Sequence, residues 1–213
     1  MPRHRHNHGY VSLILSGGYE ETGDRGRFHV EAGDVLLHSA FDAHLNRFAA
    51  RDAAILNLEL PWDYEPAGSL ARIPDPDFIA NAAVRDPREA VSILLEDLEL
   101  VRHESGDWPE LLAFDLARDP SLSLGHWATA HRLAAATLSR GFHRVFGLSP
   151  ASFRAEIRAR EAWRRIMAGA SRLADLAQEL GFSDQAHMSR AVRAITGRPP
   201  GQWNRGRSNR FKI

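Results

Sequence analysis

Residues Leu173–Trp203, LADLAQELGFSDQAHMSRAVRAITGRPPGQW, constrain this chain more than any other stretch. Leu173, Leu176, Ala177 and Leu180 recur at helical spacing, so one face of a short helix is apolar. Gly181 can turn left-handed past the helix end, and Phe182 plugs the corner. Ser183 or Asp184 can cap a second helix, with Met188, Val192 and Ile195 as its buried stripe. Gln185, His187, Ser189, Arg190 and Arg193 then fall on or near an outward face. Two short helices, a tight glycine turn and a second helix carrying Gln, Ser and Arg outward make a helix-turn-helix pattern. Any pair of packed helices can imitate it, so a small helical packing domain is the competing reading.

Charge separates the two. The chain is neutral overall, with 27 Lys+Arg against 27 Asp+Glu, but residues 1–118 hold 11 basic and 21 acidic side chains and residues 119–213 hold 16 and 6. A basic end joined to an acidic one fits a nucleic-acid-binding part and a part of different purpose. Nearly all of the positive charge is Arg, which suits bidentate contact to phosphate and guanine.

Gly181-Phe182-Ser183, Gln185, Ser189-Arg190, Gly197, Pro200 and Trp203 occur in the order seen in the DNA-binding domain of AraC/XylS-family transcription regulators, which about Ser121–Asn204 resembles. The resemblance implies two helix-turn-helix units, the first over Leu124–Gly147. Its turn falls at His131–Leu133 and its second helix over about Ala135–Phe146, with Leu138, Phe142 and Val145 inward. A long helix, Ala151–Met167, then links the units and carries Arg154, Arg158, Arg160, Arg164 and Arg165. The family's usual turn glycine falls on Arg132, where a left-handed corner is strained, and the usual Ser/Pro helix start is Ala134-Ala135-Ala136.

Carried over position by position, the double-stranded DNA contacts implied are Ala136, Ser139, Arg140, His143 and Arg144 in the first unit. In the second they are Gln185, His187, Ser189, Arg190 and Arg193. Small side chains at Ala136 and Ser139 leave Arg140 as the one base reader of the first unit, which mainly grips backbone. Gln185 suits adenine and Arg190 guanine or phosphate, while Arg144 and Arg193 are assigned to phosphate.

Residues 10–60 read as short strands. Tyr10–Leu15, Arg27–Val30, Val35–His38 and Ala53–Leu60 are separated by Ser16-Gly17-Gly18, Gly23-Asp24-Arg25-Gly26 and Gly33-Asp34. Such spacing fits a small β-barrel or sandwich. His4-Arg5-His6, eleven residues before Gly17, and Gly33-Asp34 leading to His44 are similar to the two motifs of a cupin barrel over Met1–Pro61. That resemblance implies a metal held by His4, His6 and His44, zinc-like or iron-like, with Tyr10 standing where the carboxylate ligand belongs. The same histidines also fit a solvated N-terminus with His44 at a strand edge. The first candidate ligand lies three residues after Met1, so a reduced barrel, or one with a covered edge, is expected.

From Asp63 to Gly68 the composition turns to Pro and Gly, and helices follow. Asp75-Pro76 opens one to about Ala83, Asp86-Pro87 a longer one to about His103, and Trp108-Pro109 one to about Arg118, ended by Asp119-Pro120. Ala90, Ile93, Leu94, Asp97/Leu98 and Val101 form a broad stripe. It either packs on the barrel or, as the AraC resemblance implies, makes a homodimer interface.

The expected fold class is α+β: a cupin-like sensing barrel over 1–65, a helical linker and dimerisation region over 66–118, and an AraC-type DNA-binding domain over 119–213. Zero cysteines exclude disulfides and thiolate metal sites, and no apolar run suits a membrane span or signal peptide, so a cytoplasmic protein without membrane contact is expected. The function implied is a transcription regulator, not an enzyme, with no catalytic residue assigned. It would be controlled by a small molecule or divalent metal (Zn or Fe) in the barrel, and RNA polymerase would be a partner. Two rivals stand beside it: a metal-dependent cupin enzyme fused to a DNA-binding end, and an effector-free dimeric regulator.

Overall fold

A computed structural model describes residues 1–48, 53–62, 64–102, 106–119, 121–170 and 172–203. The chain divides into two compact units, Met1–Glu110 and Leu111–Ile213. Together they give the α+β class, with a sheet-rich unit first and a helical one after it.

The first unit holds two antiparallel sheets. One has the order β1 (His4–Arg5), β6 (Ala43–Phe48), β3 (Gly18–Gly23), β4 (Gly26–Glu31); the other runs β7 (Ala54–Glu59), β2 (Tyr10–Ser16), β5 (Asp34–His38), β8 (Leu70–Arg72), β9 (Glu99–Leu100). Among the described residues no ladder joins the two, so the barrel expected from the cupin-like motifs is an open pair of sheets.

Side-chain alternation decides which way each residue faces. On β2 and β5, Val11, Leu13, Val35 and Leu37 join Ile79, Ala82, Ala90, Val91 and Leu94 of α1 (Pro76–Arg85) and α2 (Pro87–Glu96) in one buried cluster. The intervening Ile14 and Leu36 point the other way and meet Tyr19, Phe28 and Val30 of the first sheet. With both faces covered, β5 is buried throughout, which is why VLLH reads as a continuous run rather than an alternating one. Tyr10 and His38 share the inter-sheet parity and pair directly across the ladder.

Helix α2 ends at Glu96, earlier than the apolar stripe implies. The chain then turns into β9, where Leu100 pairs with Ala71 and Val101 N–H donates to Leu70 O, so Val101 belongs to the sheet edge rather than the stripe. The expected end at His103 lies outside the described residues. Ala90 and Leu94 are fully buried within this chain's own core, so the centre of the stripe packs on the sheet rather than awaiting a second copy. The sheets also take in residues 70–72 and 99–100, well past the proline-rich stretch near residue 65.

The helical unit comprises most of α3 (Trp108–Arg118), then α4 (Leu124–Ala130), α5 (Ala135–Phe146), α6 (Pro150–Met167), α7 (Leu173–Glu179) and α8 (Gln185–Thr196). Ser123, Ser149 and Asp184 cap α4, α6 and α8 with side-chain acceptors. Gly147 and Gly197 end α5 and α8 in the left-handed conformation. The two halves repeat: Leu138, Phe142, Gly147, Pro150 and Phe153 stand where Met188, Val192, Gly197, Pro200 and Trp203 stand in the second.

Candidate nucleic-acid interface and histidine cluster

Both turns close with the same hydrogen bonds. Arg132 N–H donates to Thr129 O at 3.1 Å and Leu133 N–H to Ala128 O at 2.8 Å; Gly181 and Phe182 donate to Gln178 O and Ala177 O at 2.9 and 2.8 Å. The left-handed residue is Gly181 (φ 68°) in one and Arg132 (φ 55°) in the other, as the alignment of turns implies. A side chain there costs roughly 1–3 kcal/mol, sustained by the surrounding packing. Helix α5 also starts at Ala134 without a side-chain cap, whereas Asp184 Oδ1 accepts from His187 N–H at 2.6 Å at the start of α8.

Each second helix buries one side and exposes the other. Leu138, Phe142 and Phe146 are buried on α5, while Ala136, Ser139, Arg140, His143 and Arg144 are exposed. On α8, Met188, Val192 and Ile195 are buried; Gln185, His187, Arg190 and Arg193 are exposed and Ser189 is half-buried. Every DNA contact implied by sequence is therefore at or near the surface. His187 is partly engaged within the unit, since its Nδ1 lies 3.0 Å from Ser183 Oγ and its ring meets Phe182 edge-on.

The linking helix has its own use for arginines. Arg154 donates to Leu122 O at 2.9 Å beside the first unit, and Arg158 Nε donates to Leu180 O at 2.8 Å beside the second turn. The Arg158 guanidinium also sits over the Phe182 ring at 4.4 Å. Arg165 pairs with Glu179 at 2.7 Å and Arg164 with Glu161 at 3.6 Å. Arg154, Arg158 and Arg165 tie α6 to its neighbours while Arg164 pairs within the helix, so charge count alone overstates what the linker offers to phosphate.

In the first unit β1 lies against β6 with His4 directly opposite His44. Phe41 N–H donates to His6 O at 2.9 Å, holding the segment after β1 against the turn before β6. Asp24 accepts from Ala43 N–H at 3.1 Å and pairs with Arg3, while Asp42 pairs with Arg25 at 2.9 Å. Gly23 lets β3 approach: a Cβ there would meet Ala43 O at 2.9 Å and His44 Cβ at 3.0 Å. The result brings together His4, His6 and His44, with candidate ligand atoms within 4.8 Å of one another. His4 Nδ1–H donates to Pro2 O at 2.9 Å, which leaves Nε2 as its lone-pair nitrogen.

Two further side chains join this cluster that sequence reasoning missed. Glu21 and His38 form a second group with His44, all three buried, again within 4.8 Å. His38 stacks on Tyr10 at 4.3 Å, and Tyr10 Oη lies 3.2 Å from His44 Nε2. The signal for His38 was its place in the otherwise apolar run VLLH, at the parity of Leu36; Glu21 was hidden in a polar strand, GYEETG.

Burial pushes the His38 imidazole down to about 3, helped by His6, Arg25 and His4, and burial with His38, His4, His6 and Arg3 nearby holds His44 far below its usual range. Burial raises Glu21 to about 8; Asp42 adds to this and the Tyr19 hydrogen bond opposes it. Both histidines are thus neutral when folded, and below the ordinary 6.5 the unfolded chain takes up protons that the folded one refuses. Glu21 acts oppositely, since the folded chain keeps its proton between the ordinary 4.5 and about 8. Two imidazoles outweigh one carboxyl, so chelator-treated protein is expected to be most heat-stable near 6.5 and to lose stability on both sides, with the acid limb steepening below 4.5, where Glu21 no longer offsets the imidazoles. Thermal melting across this range checks it; a melting temperature that climbed steadily with acidification would contradict it.

The fold and its exposed faces define a DNA-binding protein with paired helix-turn-helix units. Residues 127–206 match a family model described as a helix-turn-helix domain. They belong to the AraC type of that domain, and the protein is a DNA-binding transcriptional regulator. No curated protein matches the chain. Among solved structures it is similar to the C-terminal domain of AraT, a response regulator from Geobacillus stearothermophilus, with 20% identity, TM-score 0.43, and 46% of this chain and 84% of that one covered. It is also similar to ToxT from Vibrio cholerae, with 12% identity, TM-score 0.42, and 94% and 90% covered. A third is ToxT from the same species bound to an unsaturated fatty acid, with 11% identity, TM-score 0.42, and 95% and 88% covered. Among the described residues no helix is long and apolar enough to cross a membrane.

Proposed function

We propose that this regulator reads duplex DNA with α5 and α8 and is controlled by a small molecule or divalent metal taken up at the histidine cluster of the sheet unit. It works in the cytoplasm without catalysis, as a homodimer whose DNA-bound form is available to RNA polymerase. The observation that carries the reading is the pair of helices with buried apolar sides and exposed polar sides, Arg140 and Arg190 occupying matching positions. Arg190 and Gln185 read base edges in one groove; Arg140 reads in the neighbouring one, beside Ala136 and Ser139, which offer little discrimination. Arg144 and Arg193 contact phosphate, and His143, His187 and Ser189 border the interface.

His4, His6 and His44 fit a divalent ion because His4 already has its other nitrogen fixed by a carbonyl, the usual support of a metal-bound imidazole. Bound there, the ion supplies charge and a fixed geometry, and control follows if it favours one arrangement of the regulator over another. Support for the homodimer comes from the outward side of α1, where Val84 is 87% exposed, and from an open apolar groove of about 1120 Å3 between β7 and α1–α2, which a second copy can cover. Sedimentation equilibrium tests that point; a monomer at working concentration would remove it.

Selection of bound DNA sequences from a random pool tests the main reading. Arg190→Ala is expected to weaken binding to the selected site by ~1–3 kcal/mol and to relax preference at one position. Arg140→Ala acts likewise at a separate position, whereas Ala136→Ser has little effect. Binding unchanged in both arginine variants would refute the assignment.

A further inference from the structure

The outer histidines are not the best-enclosed ligands of the cluster. Deeper between the sheets, Glu21 from β3, His38 from β5 and His44 from β6 are 4%, 6% and 3% exposed, whereas His6 is exposed and β1 is two residues long. Three separate strands fix the inner side chains, and all three pair with neighbours on both sides. His44 Nδ1 is buried with no hydrogen-bond partner, while its Nε2 faces Tyr10 Oη. Native proteins rarely leave such nitrogens orphaned without a reason.

Glu21, His38 and His44 also share the wall of a small, partly open space of about 10 Å3, with Asp24, Arg25 and Asp42 beside them. That is on the order of a single water-sized probe, enough for one small ion and nothing larger. The outer set offers imidazoles alone. The inner set adds a carboxylate, which the cupin-like motif lacks at Tyr10, and two histidines with one carboxylate are a recurrent ligand set for divalent transition metals. A tetrahedral site with bonds of about 2.1 Å needs ligand atoms roughly 3.4 Å apart. His38 Nδ1 and Glu21 Oε1 stand at 3.6 Å already, so side-chain adjustment completes the geometry.

We infer that Glu21, His38 and His44 form a buried site for one divalent transition-metal ion, with Glu21 supplying the carboxylate from β3. The inference moves the ion of the sensor reading above from His4, His6 and His44 to the inner set, with His44 common to both, and rests on that reading for the ion's regulatory role. Tyr10, stacked on His38 and reaching His44 Nε2, positions both rings. The outer pair, His4 and His6, is then left outside the coordination sphere.

The test uses the full chain, stripped by chelator and titrated with Zn(II) and Co(II). One equivalent is expected to remain after gel filtration, and Glu21→Gln and His38→Asn are each expected to lower affinity at least tenfold. His6→Asn is expected to change it less than threefold. Because buried substitutions can unfold the unit, the unmutated chain gives a second readout: on Zn(II) addition the imidazole nitrogen resonances of His38 and His44 shift while those of His4 and His6 stay. Shifts confined to His4, His6 and His44, with Glu21→Gln and His38→Asn harmless, would move the ion to the outer set and overturn the inference. No retained ion in the unmutated chain would overturn it as well. Gel-shift binding of the same preparations is scored separately: failure to bind any DNA would sink the regulator reading and leave the metal result standing.

Discussion

Phe153→Ala is expected to remove a large part of the stability of the helical unit. Phe142, Phe146 and Phe153 are each fully buried, and their ring centroids lie 4.5, 5.4 and 5.3 Å apart. Two of the rings come from α5 and the third from the first turn of α6, so the trio is what fastens the first DNA-facing helix to the linker. Truncating such a ring typically costs 3–5 kcal/mol, because the transfer energy is lost and the remaining rings cannot close the cavity. A unit of this size has no more than about 5–15 kcal/mol to lose. Far-UV circular dichroism during heating or urea titration reads the change. Phe153→Leu, which refills much of the space, is expected to lose less. A loss below about 1 kcal/mol for the alanine variant would mean that α5 is held by something other than these rings. The effect should reach DNA as well, since α5 would no longer be presented at a fixed distance from α8.

This trio also marks how much of the helical unit was legible in sequence. Leu138 and Phe142 were recoverable from helical spacing, and Arg132 could be placed in the left-handed corner because the turn recurs at Gly181. Phe153 falls within the expected linking helix, Ala151–Met167, but its equivalence to Trp203 follows only when the two halves are laid over one another. Trp203 Nε1–H donates to Thr196 Oγ1 at 3.0 Å and its ring meets Trp163 at 5.9 Å, so it closes the second unit as Phe153 closes the first.

The sheet unit was harder to read, for reasons that its residues make plain. Strands β3 and β6 carry polar residues on both faces, Glu21 and Asn46 at the parity of Tyr19, and Glu20, Thr22 and Arg47 at the other, which erases the alternation that periodicity depends on. Glu21 is buried among histidines rather than apolar side chains, so no pattern of hydrophobicity could have found it. The end of α2 was missed for a different reason. Leu98 and Val101 extend the helical stripe on paper, yet pairing of β9 with β8 draws the chain into the sheet, where Val101 N–H donates to Leu70 O, and long-range pairing has no local signature.

DNA affinity is expected to fall steeply with salt, and the slope should be set by few arginines. Of the basic side chains in 119–213, Arg154 and Arg158 donate to carbonyls, and Arg164, Arg165 and Arg172 pair with Glu161, Glu179 and Asp175. The exposed arginines of the two reading helices are Arg140, Arg144, Arg190 and Arg193. Each neutralised phosphate contributes a slope of about −0.9 in log affinity against log salt, so these four give about −4 per chain if all contact phosphate, and about −7 for a pair of chains. Raising salt from about 50 to about 200 mM then weakens binding roughly a hundredfold for one chain and roughly ten-thousandfold for two. Arg193→Ala is expected to flatten the slope by about 1 per chain while leaving sequence preference intact, in contrast to Arg190→Ala, which relaxes preference. Fluorescence anisotropy on one labelled duplex over a salt series measures both quantities. A slope far steeper than these four residues allow would mean that further basic side chains, the exposed Arg132, Arg172 and Arg198 among them, also reach phosphates.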